Sequence, residues 1–237
     1  MLTLKHAEVT YAAEQAFSSV SLSLDQGEQV SIIGPSGCGK TSLLYAIAGL
    51  VPLSSGTLKL AIPASGCGIM FQDDRLLPWK TLLHNVTLGL DRNTSYRSSA
   101  VHLLERFGLA AHMHKYPGSL SGGQRQRGAL ARVLVRKPAL LLLDEPLAAL
   151  DAQTRENLQE EIKAYVASHN ITMLLVTHSI EEAVFMGRRI FVMGSNGLFG
   201  ETVNPWYDRE HLREEEGFFT IVRSLRRTLS SIMGGST

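Results

Sequence analysis

The run QVSIIGPSGCGKTSLLYAIAGL, residues 29–50, limits the possible folds more than any other stretch. QVSII reads as a short buried strand, GPSGCGKT as a glycine-rich turn, and SLLYAIAGL as a helix by length and apolar spacing. A strand that feeds a glycine loop and then a helix puts the loop at a helix N-terminus, where free N–H groups and the helix dipole attract an anion. The loop matches GxxxxGK[ST] in full. Gly34, Gly37 and Gly39 let the backbone approach phosphate oxygens, with Pro35, Ser36, Cys38 and Ser42 completing the cradle. Lys40 reaches the terminal phosphates, and the Thr41 hydroxyl suits magnesium. A nucleotide triphosphate with magnesium is the ligand this pattern predicts.

The rest of the chain supplies partners for that unit. LTLKHAEVTY alternates polar and apolar residues as a half-buried strand does, and TLKLAI and CGIMF read as further strands. ALLLLD and TMLLVTH are continuous apolar runs, expected of parallel strands buried on both faces with functional groups at their C-terminal ends. Between them, Leu158, Ile162, Tyr165 and Val166 share one helical stripe, giving a strand, helix, strand unit. SSAVHLLERFGL and QRQRGALARVLV read as helices. The predicted fold is α/β, a single domain with a helical insert from about Asp73 to Val135.

In ALLLLDEP the buried strand ends in Asp144, placed for a magnesium shell, and Glu145 follows, placed to polarise an attacking water. Two acids at a strand end are also compatible with a solvated turn; pairing with the upstream loop favours the catalytic reading.

Bulk properties exclude several classes. A formal net charge of +1 across 237 residues gives no electrostatic reason to expect nucleic acid as a partner. No apolar run approaches the roughly 18 residues that span a bilayer, and MLTLKHAEVTY lacks the long apolar centre of a signal peptide. A cytosolic address is expected. Cys38 and Cys67 are too few for a disulfide framework and read as reduced thiols. His112 and His114 have no carboxylate or thiol cluster in sequence beside them and read as a solvated polar turn rather than a metal pair.

Taken together, GPSGCGKT, the FQDD containing Gln72, LSGGQRQR, LLLLDEP, the ALD ending in Asp151 and the TH containing His178 resemble the nucleotide-binding subunits of ABC transporters. The likeness covers nearly the whole chain, and LSGGQ separates it from other enzymes with the same phosphate loop. It implies a P-loop ABC ATPase fold, a RecA-like mixed sheet core with an antiparallel β part and an inserted helical subdomain. It also implies a head-to-tail homodimer in which Ser121, Gly122, Gly123 and Gln124 of one copy close over the γ-phosphate held by Lys40 of the other, with Asp151 crossing the interface.

The same resemblance makes Glu145 the general base, His178 a γ-phosphate contact, and Gln72 a contact to magnesium and the attacking water. Tyr11, at the end of the first strand, becomes the adenine-stacking ring, with core packing as its plainer alternative. FQDDRLLPWKTLLHNVTLGL resembles importer subunits of the nitrate, sulfonate and taurine group. Expected partners are therefore separate permease subunits and an extracytoplasmic solute-binding protein, at the cytoplasmic face of the membrane. A soluble ABC ATPase acting on nucleic acid or ribosomes is the competing reading; it usually needs a coiled-coil insertion or a second ATPase domain.

Two features stand apart. Gly128 sits where relatives often carry valine, inside a predicted helix, at a cost of about 1 kcal/mol in propensity. The tail from about 201 to 237 carries Ile221, Val222, Leu225, Leu229 and Ile232 at helical spacing, with Arg223, Arg226 and Arg227 nearby. Packing on its own domain is the expectation, and contact with lipid headgroups or a partner the alternative.

Overall fold

The continuous apolar runs form the middle of a six-stranded sheet in a computed structural model that describes residues 1–12, 14–63, 66–90, 94–194 and 197–234. The strands are β1 (Leu2–Tyr11), β2 (Glu14–Leu24), β3 (Gln29–Ile33), β4 (Ser55–Leu60), β5 (Cys67–Met70), β6 (Leu140–Asp144), β7 (Thr172–Thr177), β8 (Arg189–Gly194) and β9 (Gly197–Val203). The helices are α1 (Lys40–Ile47), α2 (Leu82–Val86), α3 (Thr94–Arg106), α4 (Gly122–Leu134), α5 (Ala152–Ser168), α6 (Ile180–Met186) and α7 (Glu216–Gly234). The larger sheet has the order β5-β6-β7-β3-β8-β9, parallel except for the β8–β9 edge. A smaller antiparallel sheet has the order β2-β1-β4.

Burial on both faces explains why the central strands carry no polar alternation. Leu141 and Leu143 of β6 and Met173 and Leu175 of β7 face a core shared with α2 to α7. Their neighbours Leu140, Leu142, Leu174 and Val176 face a second core, shared with α1 and the antiparallel sheet. In β1 the buried positions run Leu2, Leu4, then Ala7, Val9, a change of phase at an irregularity where His6 takes a φ of 45°. A bulge of this kind adds one residue and keeps both halves of the strand facing the core.

Helices α2, α3 and α4 occupy the stretch read as a helical insert, apart from residues 91–93, which lie outside the described set. Gly128 has a packing reason there. A Cβ at that position would come within 2.4 Å of Leu82 Cδ1, so the glycine lets α2 and α4 approach closely. The tail differs from its expected bounds. Residues 201–203 complete β9, and the helix proper is α7. Ile221, Val222 and Leu225 are buried and Leu229 and Ile232 pack against the same core, the self-packing arrangement. Arg226 pairs with Glu181 of α6 at 3.1 Å. Residues 235–237 of the tail lie outside the described residues. No helix among those described is long and apolar enough to cross a membrane.

Gly128→Ala adds about 1 kcal/mol of helix propensity but forces overpacking that costs roughly 1–3 kcal/mol. The expected outcome is a lower urea midpoint, restored when Leu82→Val is combined with it; a raised midpoint in the single variant would show that Leu82 yields freely.

Candidate functional site

The register of the parallel strands brings the candidate residues to one sheet edge. Ile33 pairs with Thr177, and Asp144 with Val176, so the loops that leave β3, β6 and β7 emerge side by side. Ligands of open parallel sheets bind at this carboxyl edge. A cleft of about 620 Å³ opens there, lined by Tyr11, Ser36, Gly37, Gly39, Lys40, Thr41, Ser42, Gln72, Glu145 and His178. Glu14, Gln15 and Ala16 complete the wall, residues the sequence patterns did not single out.

Gly39 caps α1 with a φ of 95°, and a Cβ there would sit 2.3 Å from the Ala16 carbonyl oxygen. Both the backbone angle and the close approach of β2 require glycine. Lys40 is 6% exposed, and its Nζ donates to the carbonyl oxygens of Gly34 at 2.9 Å and Pro35 at 2.8 Å. The ammonium is thus held over the loop at the start of α1. Cys38 points into the core rather than the cleft, and burial pushes its thiol up from the usual range. Cys67 is also a free thiol, pushed up to about 11 by burial.

Thr41 Oγ1 donates to Asp144 Oδ1 at 3.1 Å, joining the phosphate loop to the end of β6. The other oxygen, Asp144 Oδ2, is buried without a hydrogen-bond partner. Burial raises the carboxyl, Thr41 pulls it down, and the neighbouring Glu145 raises it further. A hydroxyl on the cleft wall and an orphaned carboxylate oxygen are the hard oxygen donors that magnesium takes. The donor set therefore fits that ion. Among the described residues no cluster of three or more His, Cys, Asp or Glu is arranged to hold a metal on its own.

Glu145 carries a φ of 45°, a left-handed conformation that costs a side-chain-bearing residue about 1–3 kcal/mol. Its N–H donates to the Val176 carbonyl at 3.0 Å, which holds the turn in place. The turned backbone aims the carboxylate into the cleft, with Oε1 3.2 Å from His178 Nδ1 and Oε2 3.5 Å from Gln72 Nε2. Three residues 33 to 106 positions apart in sequence thus converge. The segment bearing Gln72 is tied to α4: Asp74 Oδ2 accepts from Arg125 Nε at 2.8 Å, and Arg132 donates to the carbonyls of Asp74 and Arg75 at 2.8 and 2.7 Å. These acid and arginine contacts escaped the sequence reading, because nothing in a linear pattern pairs residues some 50 positions apart.

Ser121, Gly122, Gly123, Gln124 and Asp151 do not line this cleft. Ser121 instead caps α4. Its Oγ accepts from Gln124 N–H at 3.2 Å, while Gln124 Oε1 accepts from Ser121 N–H at 2.9 Å, a reciprocal capping box. Gln124 Nε2 lies 3.1 Å from His112 Nε2, so His112 packs against this loop and is not the solvated residue expected; His114 is exposed. Asp151 caps α5, its Oδ1 accepting from Thr154 N–H at 3.0 Å, a bond that holds its carboxyl below the usual range. Both loops are ordered by their own chain; Ser121 and Asp151 are exposed, and Gly122 to Gln124 are half-buried.

Asp144→Asn removes a buried charge and should raise the melting temperature of the nucleotide-free protein by about 2–4 °C per kcal/mol relieved. A raised carboxyl means the folded state holds that proton more tightly than the unfolded state, so wild type loses stability as pH rises through the folded value. The gap between variant and wild type should therefore narrow as pH falls. Melting curves from acid to neutral pH read this directly; a gap that widens on acidification would contradict it.

Comparison with known proteins places this geometry. The family model described as "ABC transporter" matches residues 17–148, more than half of the chain. An aliphatic sulfonates import ATP-binding protein, SsuB, of Burkholderia ambifaria is 43% identical over 241 residues, covering 99% of this chain and 74% of that protein. A second SsuB protein, from Agrobacterium fabrum, is 43% identical over 223 residues, covering 92% of this chain and 85% of its own length. Among solved structures, the ATP-binding cassette MJ0796, a dimer in a post-hydrolysis state bound to ADP and Pi, superposes with a TM-score of 0.79 at 30% identity, covering 86% of this chain and 99% of that one. With this match along nearly its full length, a phosphate loop at the sheet edge and an LSGGQ helix apart from it, the chain belongs to the ABC transporter family as one of its ATP-binding ATPases.

Proposed function

We propose that the chain works as a head-to-tail pair that hydrolyses ATP to drive import of a small sulfonate-like solute through a separate transmembrane permease. The observation that carries this reading is that one chain holds two anion-binding loops in different places. Lys40 lies in the cleft with Gln72, Glu145 and His178, whereas Ser121 to Gln124 open α4 elsewhere. A helix start with a serine hydroxyl and glycine N–H groups is built to meet an anion, and its own chain's cleft does not use it. In the pair, Ser121 and Gly123 of one copy donate to the γ-phosphate held by Lys40 of the other, Gly122 and Gln124 shape that loop, and Asp151 faces the partner's phosphate loop. The dimeric state of the MJ0796 neighbours supports this arrangement, and the import function named for the SsuB relatives supports the direction of transport over a soluble role on nucleic acid.

Within each site Tyr11, 45% exposed at the cleft wall, stacks on adenine. The backbone from Gly34 to Ser42 cradles the phosphates. Thr41, Asp144 and Gln72 would hold magnesium, which would supply positive charge against the phosphates. Glu145 takes a proton from the attacking water, oriented by Gln72, while His178 contacts the γ-phosphate and holds Glu145 through the 3.2 Å contact. The helices of residues 73–135 form a lobe whose junction with the sheet, beside Gln72 and the 70% exposed Trp79, receives a helix of the permease. The pair then sits peripherally at the cytoplasmic face, with a solute-binding protein on the far side.

Co-purification of tagged protein from native membranes tests the transport role: a stoichiometric polytopic membrane protein is expected, and recovery of soluble partners alone would overturn it. Glu145→Gln should lower turnover by about 10²- to 10⁴-fold, roughly 3–5 kcal/mol of barrier, and trap an ATP-bound dimer visible by light scattering. A monomer at saturating ATP and magnesium would remove that role from Glu145. Because each site needs two copies, specific activity should fall on dilution below the dimer range; constant specific activity down to the monomer would argue against a shared site.

A further inference from the structure

One buried carboxylate outside the cleft has a hydrogen-bond set that leads to the catalytic histidine. Glu182, on α6, is 6% exposed. Its Oε2 accepts from Thr177 Oγ1 at 2.5 Å, and its Oε1 from Gln159 Nε2 at 3.5 Å. Thr177 Oγ1 accepts in turn from Ser179 N–H at 3.1 Å, and Ser179 Oγ accepts from Glu182 N–H at 3.2 Å. These bonds close a ring around His178, the residue between Thr177 and Ser179. The His178 side chain is 61% exposed, so beyond its 3.2 Å contact with Glu145 little packing restrains it, and the backbone on either side sets where its Cα lies.

With Glu182 ionised the bonds run in one sense: Thr177 Oγ1 accepts the Ser179 N–H and donates its own proton to Glu182. Arg213 Nη2 donates to Gln159 Oε1 at 2.5 Å, which turns the Gln159 amide so that its Nε2 faces Glu182. Both oxygens of an ionised Glu182 accept in this set, and an amide there would keep the Gln159 bond through its oxygen only by donating to Thr177 Oγ1 and turning the Thr177 proton away. Burial pushes the Glu182 carboxyl up, while Thr177, Gln159 and the nearby Arg155 and His178 hold it down. Glu182, Thr177 and His178 also share with Glu145 the wall of a small cavity of about 70 Å³.

We propose that Glu182 is a positioning residue for His178: through Thr177 and Ser179 it sets the loop that presents the imidazole to Glu145, and through Gln159 and Arg213 it ties that loop to the segment preceding α7. This rests on the reading of His178 as a γ-phosphate contact. The segment before α7 thereby acquires a physical route to the nucleotide site, since Arg213 and Gln159 are the outer links of the same chain of bonds.

The test combines kinetics with the His178 imidazole cross-peak in carbon-13 NMR of the full chain, assigned by its loss in His178→Ala. Glu182→Gln should shift that cross-peak and lower kcat by about 10- to 100-fold, with KM for ATP within about twofold of wild type. Thr177→Val should do the same, and the double variant should be no worse than either single one. A folded Glu182→Gln protein with the cross-peak unmoved, or losses that multiply in the double variant, would overturn the proposal. If Glu182→Gln does not fold, the cross-peak in Thr177→Val decides in the same way. Full turnover by His178→Ala would remove its catalytic role, while the cross-peak would still report on Glu182.

Discussion

The parallel pairing of β3, β7 and β6 is the constraint from which the rest of the structure follows. Backbone hydrogen bonds along these strands align Ile33 with Thr177 and Val176 with Asp144. One residue past each strand end the chain enters the candidate site: the glycine loop after Ile33, Glu145 after Asp144, His178 after Thr177. A slip of one residue in either pairing would turn the strand's side chains to the opposite core, and all three strands are buried on both faces. The two cores therefore specify the register that the site needs, so stability and chemistry depend on the same contacts.

Around that edge the structure holds strained and undersatisfied groups that packing alone would not favour. Glu145 adopts a left-handed backbone, and Asp144 keeps a buried oxygen without a partner. Such features persist only where surrounding structure over-determines them, and they gather where chemistry occurs. Thr41 and Val176 anchor these residues from neighbouring elements. The network of Glu182, Thr177 and Ser179 does the same for the loop of His178. Arg125 and Arg132, by gripping the segment after Gln72, mechanically join the cleft to the helix that Ser121 begins.

Much of this was legible in the linear chain because it depends on local chemistry. The phosphate loop, the runs ending in Asp144 and Thr177, and the stripe of Leu158, Ile162, Tyr165 and Val166 are each carried by neighbouring residues, and each lies where its pattern indicated. The strand β2 was less legible despite its VSLSL alternation, because Ser19 takes a φ of 49° and breaks the phase. The helix α6 is only seven residues long, too short for a periodic signal. Tail residues 201–203 finish β9 rather than starting a helical tail, since a strand at a sheet edge is specified by its partner β8 more than by its own composition.

The sequence by itself determined the ligand class and the strand, loop, helix unit that holds it, because glycine spacing, one lysine and one hydroxyl suffice to cradle phosphates at a helix start. Only the tertiary structure decided which distant groups meet. It brought Gln72, Glu145 and His178 into one cleft, left Ser121 and Asp151 outside it as caps of their own helices, and gave Gly128 its purpose against Leu82. Those outcomes rest on register, close approach and burial, which are properties of pairs of elements and exist only once the chain has folded.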